Sequence, residues 1–299
     1  MTLSPEDLTI IDPACGSGHI LVEAYEVLKA IYLERGYQLR EIPRLILEKN
    51  LYGVDIDERA AQLTVFALLM KGRVDDRRLM ERRIKLNVIA LIGSNDLDTE
   101  GLASTVSLGE HGLKRTDLNE IKRLFESAKT IGSLIRIPTH LAAKIEPLQG
   151  LCQDKDQPLL AMGEINRLSL LVAQAEMLAR RYEVVIANPP YMGSGGMNAL
   201  LKKFSKENYP AAKSDVFAMF FERVLSLARE DGRIGIVAPF AWMFLSSYQA
   251  LREKIIGENT VSTLIQLEYN AFEPACIPVA TFTLMRRPIS SFRGTYIKL

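Results

Sequence analysis

The stretch Leu8-Thr9-Ile10-Ile11-Asp12-Pro13-Ala14-Cys15-Gly16-Ser17-Gly18 decides the fold. Its β-branched apolar half reads as a strand, the small residues after Asp12 end that strand, and apolar residues at helical spacing follow over residues 20–32. The pattern then repeats. Leu51-Tyr52-Gly53-Val54-Asp55 is a second short strand ending in an acid, and Asp57-Glu58 opens a helix with apolar positions at Ala61, Val65, Leu68 and Leu69. Strands alternating with helices predict an α/β domain with a parallel sheet. Further strands are predicted at residues 88–92, 182–187, 232–237, 261–267 and 279–285, seven in total, with helices at 215–228 and 247–256. Residues 101–181 carry Leu, Glu, Lys and Arg at helical spacing, broken at Ile137-Pro138 and ahead of Pro158. They read as a helical insertion dividing a core into residues 1–100 and 182–299.

The glycine loop has a definite chemistry. Glycines after the first strand let a ligand approach the backbone, and the helix behind them offers free N–H groups. A dinucleotide fingerprint would place an acid about 20 residues after the glycines, whereas here Asp12 precedes them and Asp55 lies much further on. Acids at two strand tips suit a ligand with an ammonium for Asp12 and a ribose diol for Asp55, as S-adenosylmethionine has. The strand at 182–187 runs into a second constellation, Asn188-Pro189-Pro190-Tyr191. Two prolines remove two backbone donors and stiffen the turn, leaving carbonyls as aimed acceptors. An exocyclic amine such as adenine N6 offers two hydrogens, one for the Asn188 oxygen and one for the Pro189 carbonyl, while Tyr191 stacks on the ring.

Composition narrows the setting. With 48% apolar and 24% charged residues the 299-residue chain is of globular type. No stretch approaches the roughly 20 apolar residues of a membrane span, and the first residues lack a secretory signal's pattern, so a cytoplasmic chain is expected. Cys15, Cys152 and Cys276 form no CxxC pair, and His19, His111 and His140 have no metal spacing, so no metal site is predicted. The net charge is +1, from 37 Lys and Arg against 36 Asp and Glu, which confines nucleic-acid contact to local groups. The charged stretch 71–85 reads as the solvated end of a helix.

Taken together, Asp12-Pro13-Ala14-Cys15-Gly16-Ser17-Gly18, Asp55 and Asn188-Pro189-Pro190-Tyr191 resemble, in this order, motifs of the gamma-class S-adenosylmethionine-dependent adenine-specific DNA methyltransferases. The stretches Gly36-Tyr37, Glu41-Ile42-Pro43, Leu51 to Asp57, Tyr191-Met192-Gly193-Ser194 and Trp242-Met243-Phe244-Leu245-Ser246-Ser247 are similar to the large adenine methyltransferases of BREX phage-defence systems. The resemblance covers nearly the whole chain. It implies a seven-stranded Rossmann-like methyltransferase sheet, mostly parallel with an antiparallel last strand, acting in restriction-modification or phage defence. S-adenosylmethionine, without a metal, would be held by Asp12, Pro13, Ala14, Gly16, Gly18, Asp55, Ile56, Asp96, Asp215 and Phe217. Asn188 to Tyr191 would be catalytic, and Tyr191 and Phe272 would stack the flipped base. Lys202 and Lys203 follow the Asn188–Tyr191 loop where a DNA backbone would pass if a base entered the pocket, and they read as contacts to the phosphates of double-stranded DNA. An aromatic-Thr-Pro cofactor motif and a sequence-reading domain, both carried by the family, have no counterpart in these residues. The chain therefore reads as a catalytic core whose target-recognition domain or companion subunit lies elsewhere. Two other readings stay open: a non-catalytic cofactor- or partner-binding core, and an amino methyltransferase acting on protein glutamine or RNA guanine.

Overall fold

The computed structural model of the chain describes residues 4–269 and 277–299. Phe272 and Cys276 lie outside the described residues. Two compact units result, one formed by residues up to Ile89 together with Arg181–Leu299, the other by Ala90–Arg180.

One eight-stranded sheet runs through β1 (Ile10–Asp12), β2 (Leu51–Asp55), β3 (Asn87–Ala90), β4 (Tyr182–Ala187), β5 (Ala228–Pro239), β6 (Thr260–Gln266), β7 (Val279–Met285) and β8 (Thr295–Lys298), in the spatial order β3-β2-β1-β4-β5-β7-β6-β8; apart from Ala90 at the end of β3, its strands belong to the first unit. β1 pairs in parallel with β2 and β4, and β4 in parallel with β5. β7 runs antiparallel between β5 and β6. The order reverses at β1, which places the tips of β2, β1 and β4 side by side at the point where open α/β sheets bind ligands.

The sheet has eight strands rather than seven, and the antiparallel one is not the last: β8 follows it and pairs in parallel with β6. Its four residues are all exposed, so no alternation of apolar and polar marks it in sequence. Close approach there rests on Gly294, where a Cβ would stand 2.6 Å from the Val261 carbonyl oxygen. β5 also starts earlier than residue 232 and passes through Asp231, a non-glycine residue at φ 64°.

Helices cover the sheet with the faces their spacing implies. His19–Glu34 buries Leu21, Tyr25, Leu28 and Tyr32, and Glu58–Asp75 buries Ala61, Thr64 and Leu68. The latter starts on Asp57, whose carboxylate accepts the Arg59 and Ala60 N–H groups. Val216–Leu227 is buried on nearly all sides. Its Phe221 packs edge-on against Trp242 and Phe282 at 5.3 and 5.2 Å between ring centroids. Among the described residues no helix is long and apolar enough to cross a membrane.

The second unit is helical, with Thr99–Thr105, Arg115–Phe125, Ile145–Gln153 and Met162–Ala179 meeting through Leu102, Leu118, Ile121, Phe125, Leu148, Leu151, Leu168 and Leu171. Buried Gln174 answers both backbone groups of Ile92, accepting its N–H and donating to its carbonyl at 3.3 Å. A buried amide needs such partners.

Candidate active site at the carboxyl edge of the sheet

Register brings the first acid beside the second strand. Asp12 pairs with Gly53, so Asp55 stands two residues further along the neighbouring strand. Gly53 keeps this junction close-packed, since a Cβ would press on the Leu21 side chain at 3.0 Å and the Cys15 sulfur at 3.2 Å. Beyond Asp12 the chain turns sharply: the Asp12 carboxylate accepts the Ala14 N–H at 3.0 Å, and Cys15 N–H donates to the Val54 carbonyl at 3.0 Å. Asp55 then takes the Gly16 N–H at 2.8 Å on one oxygen and the Asp57 N–H at 2.9 Å on the other.

The two loop glycines do different work. Both have left-handed backbones, φ 53° at Gly16 and 85° at Gly18. A Cβ on Gly18 would lie 2.9 Å from Thr64 side-chain atoms, so this glycine lets the loop sit on the Glu58–Asp75 helix. A Cβ on Gly16 would meet nothing within 4 Å. Space is open above Gly16, and the Thr64 hydroxyl ties its carbonyl down at 2.9 Å.

Asp12 is 1% exposed. Burial, with a smaller contribution from the nearby Asp55 charge, pushes its carboxyl up to about 7, against the pull of the Ala14 N–H. Such a group has unspent charge to offer a cation. Burial also pushes the Cys15 thiol up to about 12, so this cysteine is a packed apolar residue rather than a nucleophile.

Across the sheet, β4 ends at Ala187, which pairs with Ile236 of β5. Asn188 and Pro190 are exposed, Pro189 is buried and Tyr191 is half-buried. Adjacent strands lie about 4.8 Å apart, so the β4 tip is one strand from Asp12 and two from Asp55. The Tyr191 hydroxyl donates to Asn188 Oδ1 at 3.0 Å, and its ring meets Phe217 edge-on at 6.2 Å between centroids. Phe217 is itself buried, with Phe221 and Tyr248 each 5.6 Å away. It is the floor under Tyr191.

Asp215 fixes the loop that follows. It caps the Val216–Leu227 helix, one carboxylate oxygen accepting the Phe217 N–H at 3.2 Å and the Met192 N–H at 3.0 Å. Val216 N–H donates to the Met192 carbonyl at 3.0 Å, and Ser194 N–H to the Ser214 carbonyl at 2.9 Å. Burial raises the Asp215 carboxyl above its usual range. Lys202 and Lys203 stand exposed on the Ala199–Asn208 helix, and Lys203 lies 4.0 Å from Glu207.

Thus Asp12, Pro13, Ala14, Gly16, Gly18, Asp55 and Ile56 fall on adjoining strand tips, Ile56 being 49% exposed just past β2. Asp215 and Phe217 lie behind Tyr191. Asp96 belongs to the second unit, on a turn closed by Leu97 N–H to the Ser94 carbonyl. It lines a cavity of about 430 Å³ there with Ser94, Asn95, Lys129 and Arg167. Among the described residues no cluster of three or more metal-ligating side chains occurs. Two contributors escaped the sequence reading. Thr64 was marked only by falling on the buried stripe of its helix, and the bond from Tyr191 to Asn188 had no signal.

A sheet of this order, reversing at β1 and carrying an antiparallel β7, defines the class: a methyltransferase-type α/β domain. The solved ATP-dependent Type ISP restriction-modification enzyme LlaBIII, bound to DNA, shares the fold, with a TM-score of 0.54 at 12% identity over 98% of this chain and 18% of that one. The chain belongs to the Eco57I restriction-modification methylase family, whose model matches residues 49–272, and a model described as N-6 DNA Methylase matches residues 1–82. It is 45% identical over 91% of its length to the adenine-specific methyltransferase BrxX of Escherichia coli O9:H4 (strain HS), covering 24% of that protein. It is 34% identical over 98% of its length to the adenine-specific methyltransferase PglX of Lacticaseibacillus casei (strain Zhang), covering 25%. The chain thus spans about a quarter of the length of these curated relatives.

Proposed function

We propose that this chain is the catalytic core of an adenine-specific DNA methyltransferase of a restriction-modification or phage-defence system, and that it methylates N6 of a flipped-out adenine in double-stranded DNA. The observation that carries the reading is the placement of Asn188 and Tyr191 at the tip of β4, beside the tips of β1 and β2 with Asp12 and Asp55. The names of the relatives point the same way.

The residues fit S-adenosylmethionine, which when bound supplies an electrophilic methyl group. Open space over Gly16 admits a ligand to the backbone. Buried Asp12 matches a cationic ammonium, and Asp55, already holding Gly16, faces the ribose hydroxyls of a ligand lying on the loop. We assign Pro13, Ala14, Gly18 and Ile56 to the same wall. Asp215 and Phe217 act by holding Met192 and Tyr191 in place.

On the target side, Asn188 Oδ1 and the Pro189 carbonyl accept the two N6 hydrogens while Tyr191 stacks on the base, with Phe272 as its other aromatic partner. These bonds localise the nitrogen lone pair, which forms the new N–C bond as the departing group takes the electrons of its old bond. A proton leaves N6 to water. The catalytic gain is positioning and preorganised acceptors, with no covalent enzyme intermediate. Lys202 and Lys203 are assigned to the phosphates, and sequence recognition to a domain or subunit beyond these residues. Incubation with tritiated S-adenosylmethionine and unmethylated duplex DNA, followed by mass spectrometry of nucleosides, tests the proposal. N6-methyladenine is expected, and label appearing only in protein or RNA refutes it.

A further inference from the structure

Asn188 poses a problem of its own. It is exposed, so nothing buries its side chain in one orientation, yet its amide has an oxygen that suits the target amine and an NH₂ group that repels it. Rotation by half a turn exchanges acceptor for donor. The only described hydrogen-bond partner of Asn188 Oδ1 is the Tyr191 hydroxyl at 3.0 Å. Tyr191 is well placed to hold that bond. Its ring rests edge-on against buried Phe217, and the next residue, Met192, is fastened through its N–H to Asp215 and through its carbonyl to Val216. A carbonyl oxygen has two lone pairs, so Oδ1 can receive the hydroxyl and still receive an N6 hydrogen.

We propose, resting on the adenine reading above, that the Tyr191 hydroxyl is a positioning group: it fixes the Asn188 amide with its oxygen, not its nitrogen, towards the target amine. The ring stacks on the base and the hydroxyl acts only through Asn188. Stacking alone would be served equally by phenylalanine, so the two roles separate cleanly. Burial holds the Tyr191 hydroxyl protonated above its usual range, which keeps it a donor throughout the pH range of an assay.

The test is a double-mutant cycle in the 299-residue chain, read as kcat and KM for methyl transfer to unmethylated duplex DNA. Tyr191→Phe removes one net hydrogen bond and is expected to lower kcat roughly fivefold with little change in KM for DNA. In the Asn188→Asp background both terminal atoms are acceptors and orientation no longer matters, so adding Tyr191→Phe is expected to cost nothing further. Full kcat in Tyr191→Phe overturns the proposal, as does an equal loss in both backgrounds. If the unmutated chain transfers no methyl to adenine, the functional reading falls instead. The contact is then decided by NMR. The Asn188 side-chain amide signal, assigned by its loss in Asn188→Asp, is expected to shift in Tyr191→Phe, and an unchanged signal overturns the hydroxyl's role.

Discussion

Asp12→Asn separates the cost of the buried acid from its use. In the wild-type chain the carboxyl titrates near 7 instead of 3.8. One pH unit is worth about 1.36 kcal/mol, so keeping Asp12 ionised in place costs on the order of 4 kcal/mol relative to an aspartate in water. The folded state binds the extra proton between roughly pH 4 and pH 7, so stability falls as pH rises through that window and levels above it. Asparagine still accepts the Ala14 N–H and carries no charge to desolvate. Between pH 5 and pH 8 the shift spans about two pH units, or at most about 2.7 kcal/mol, and relaxation of the loop and entry of water reduce it, so Asp12→Asn should gain about 1–2.5 kcal/mol relative to wild type over that range. Urea unfolding at both pH values reads this directly, and stability curves that stay parallel would falsify the reasoning. The same variant should bind S-adenosylmethionine at least tenfold more weakly by titration calorimetry, because a charge-assisted contact is lost.

The other predictions concern the loops around that acid. Gly18→Ala forces a Cβ to 2.9 Å from Thr64 at φ 85° and should cost roughly 2 kcal/mol or more in denaturant unfolding. Gly16→Ala has open space at φ 53° and should cost about 1 kcal/mol while weakening cofactor binding by more than tenfold; equal effects of the two glycine variants on binding would count against a ligand over Gly16. Asn188→Ala should abolish methyl transfer, measured as N6-methyladenine, with cofactor affinity unchanged, since its bond matters most as the nitrogen becomes tetrahedral. Replacing Lys202 and Lys203 together by alanine should lower the slope of log affinity against log salt by up to about 1.8, near 0.9 for each phosphate contact. Fluorescence anisotropy on duplex DNA measures it, and an unaltered slope removes both lysines from the interface.

The sequence by itself determined the strands that carry chemistry and their order along the chain. Asp12 and Asp55 each end a short apolar strand and Asn188 directly follows one, before proline or a turn, and such punctuation is local, set by backbone conformations that few residues adopt. The family resemblance was legible for the same reason, because its residues cluster in those turns. Tertiary structure decided what no local pattern encodes. β7 slips between β5 and β6, and β8 joins the edge through Gly294, because partners are chosen by pairing across tens of residues. Burial of Asp12, the floor that Phe217 makes under Tyr191, and the seat of Gly18 on Thr64 depend on which helix face meets which loop. The Tyr191 hydroxyl that donates to Asn188 lies only three residues from it in sequence, yet the chain between them passes two prolines and Tyr191 is followed by Met192, tethered to Asp215, a contact that reaches 23 residues along the chain.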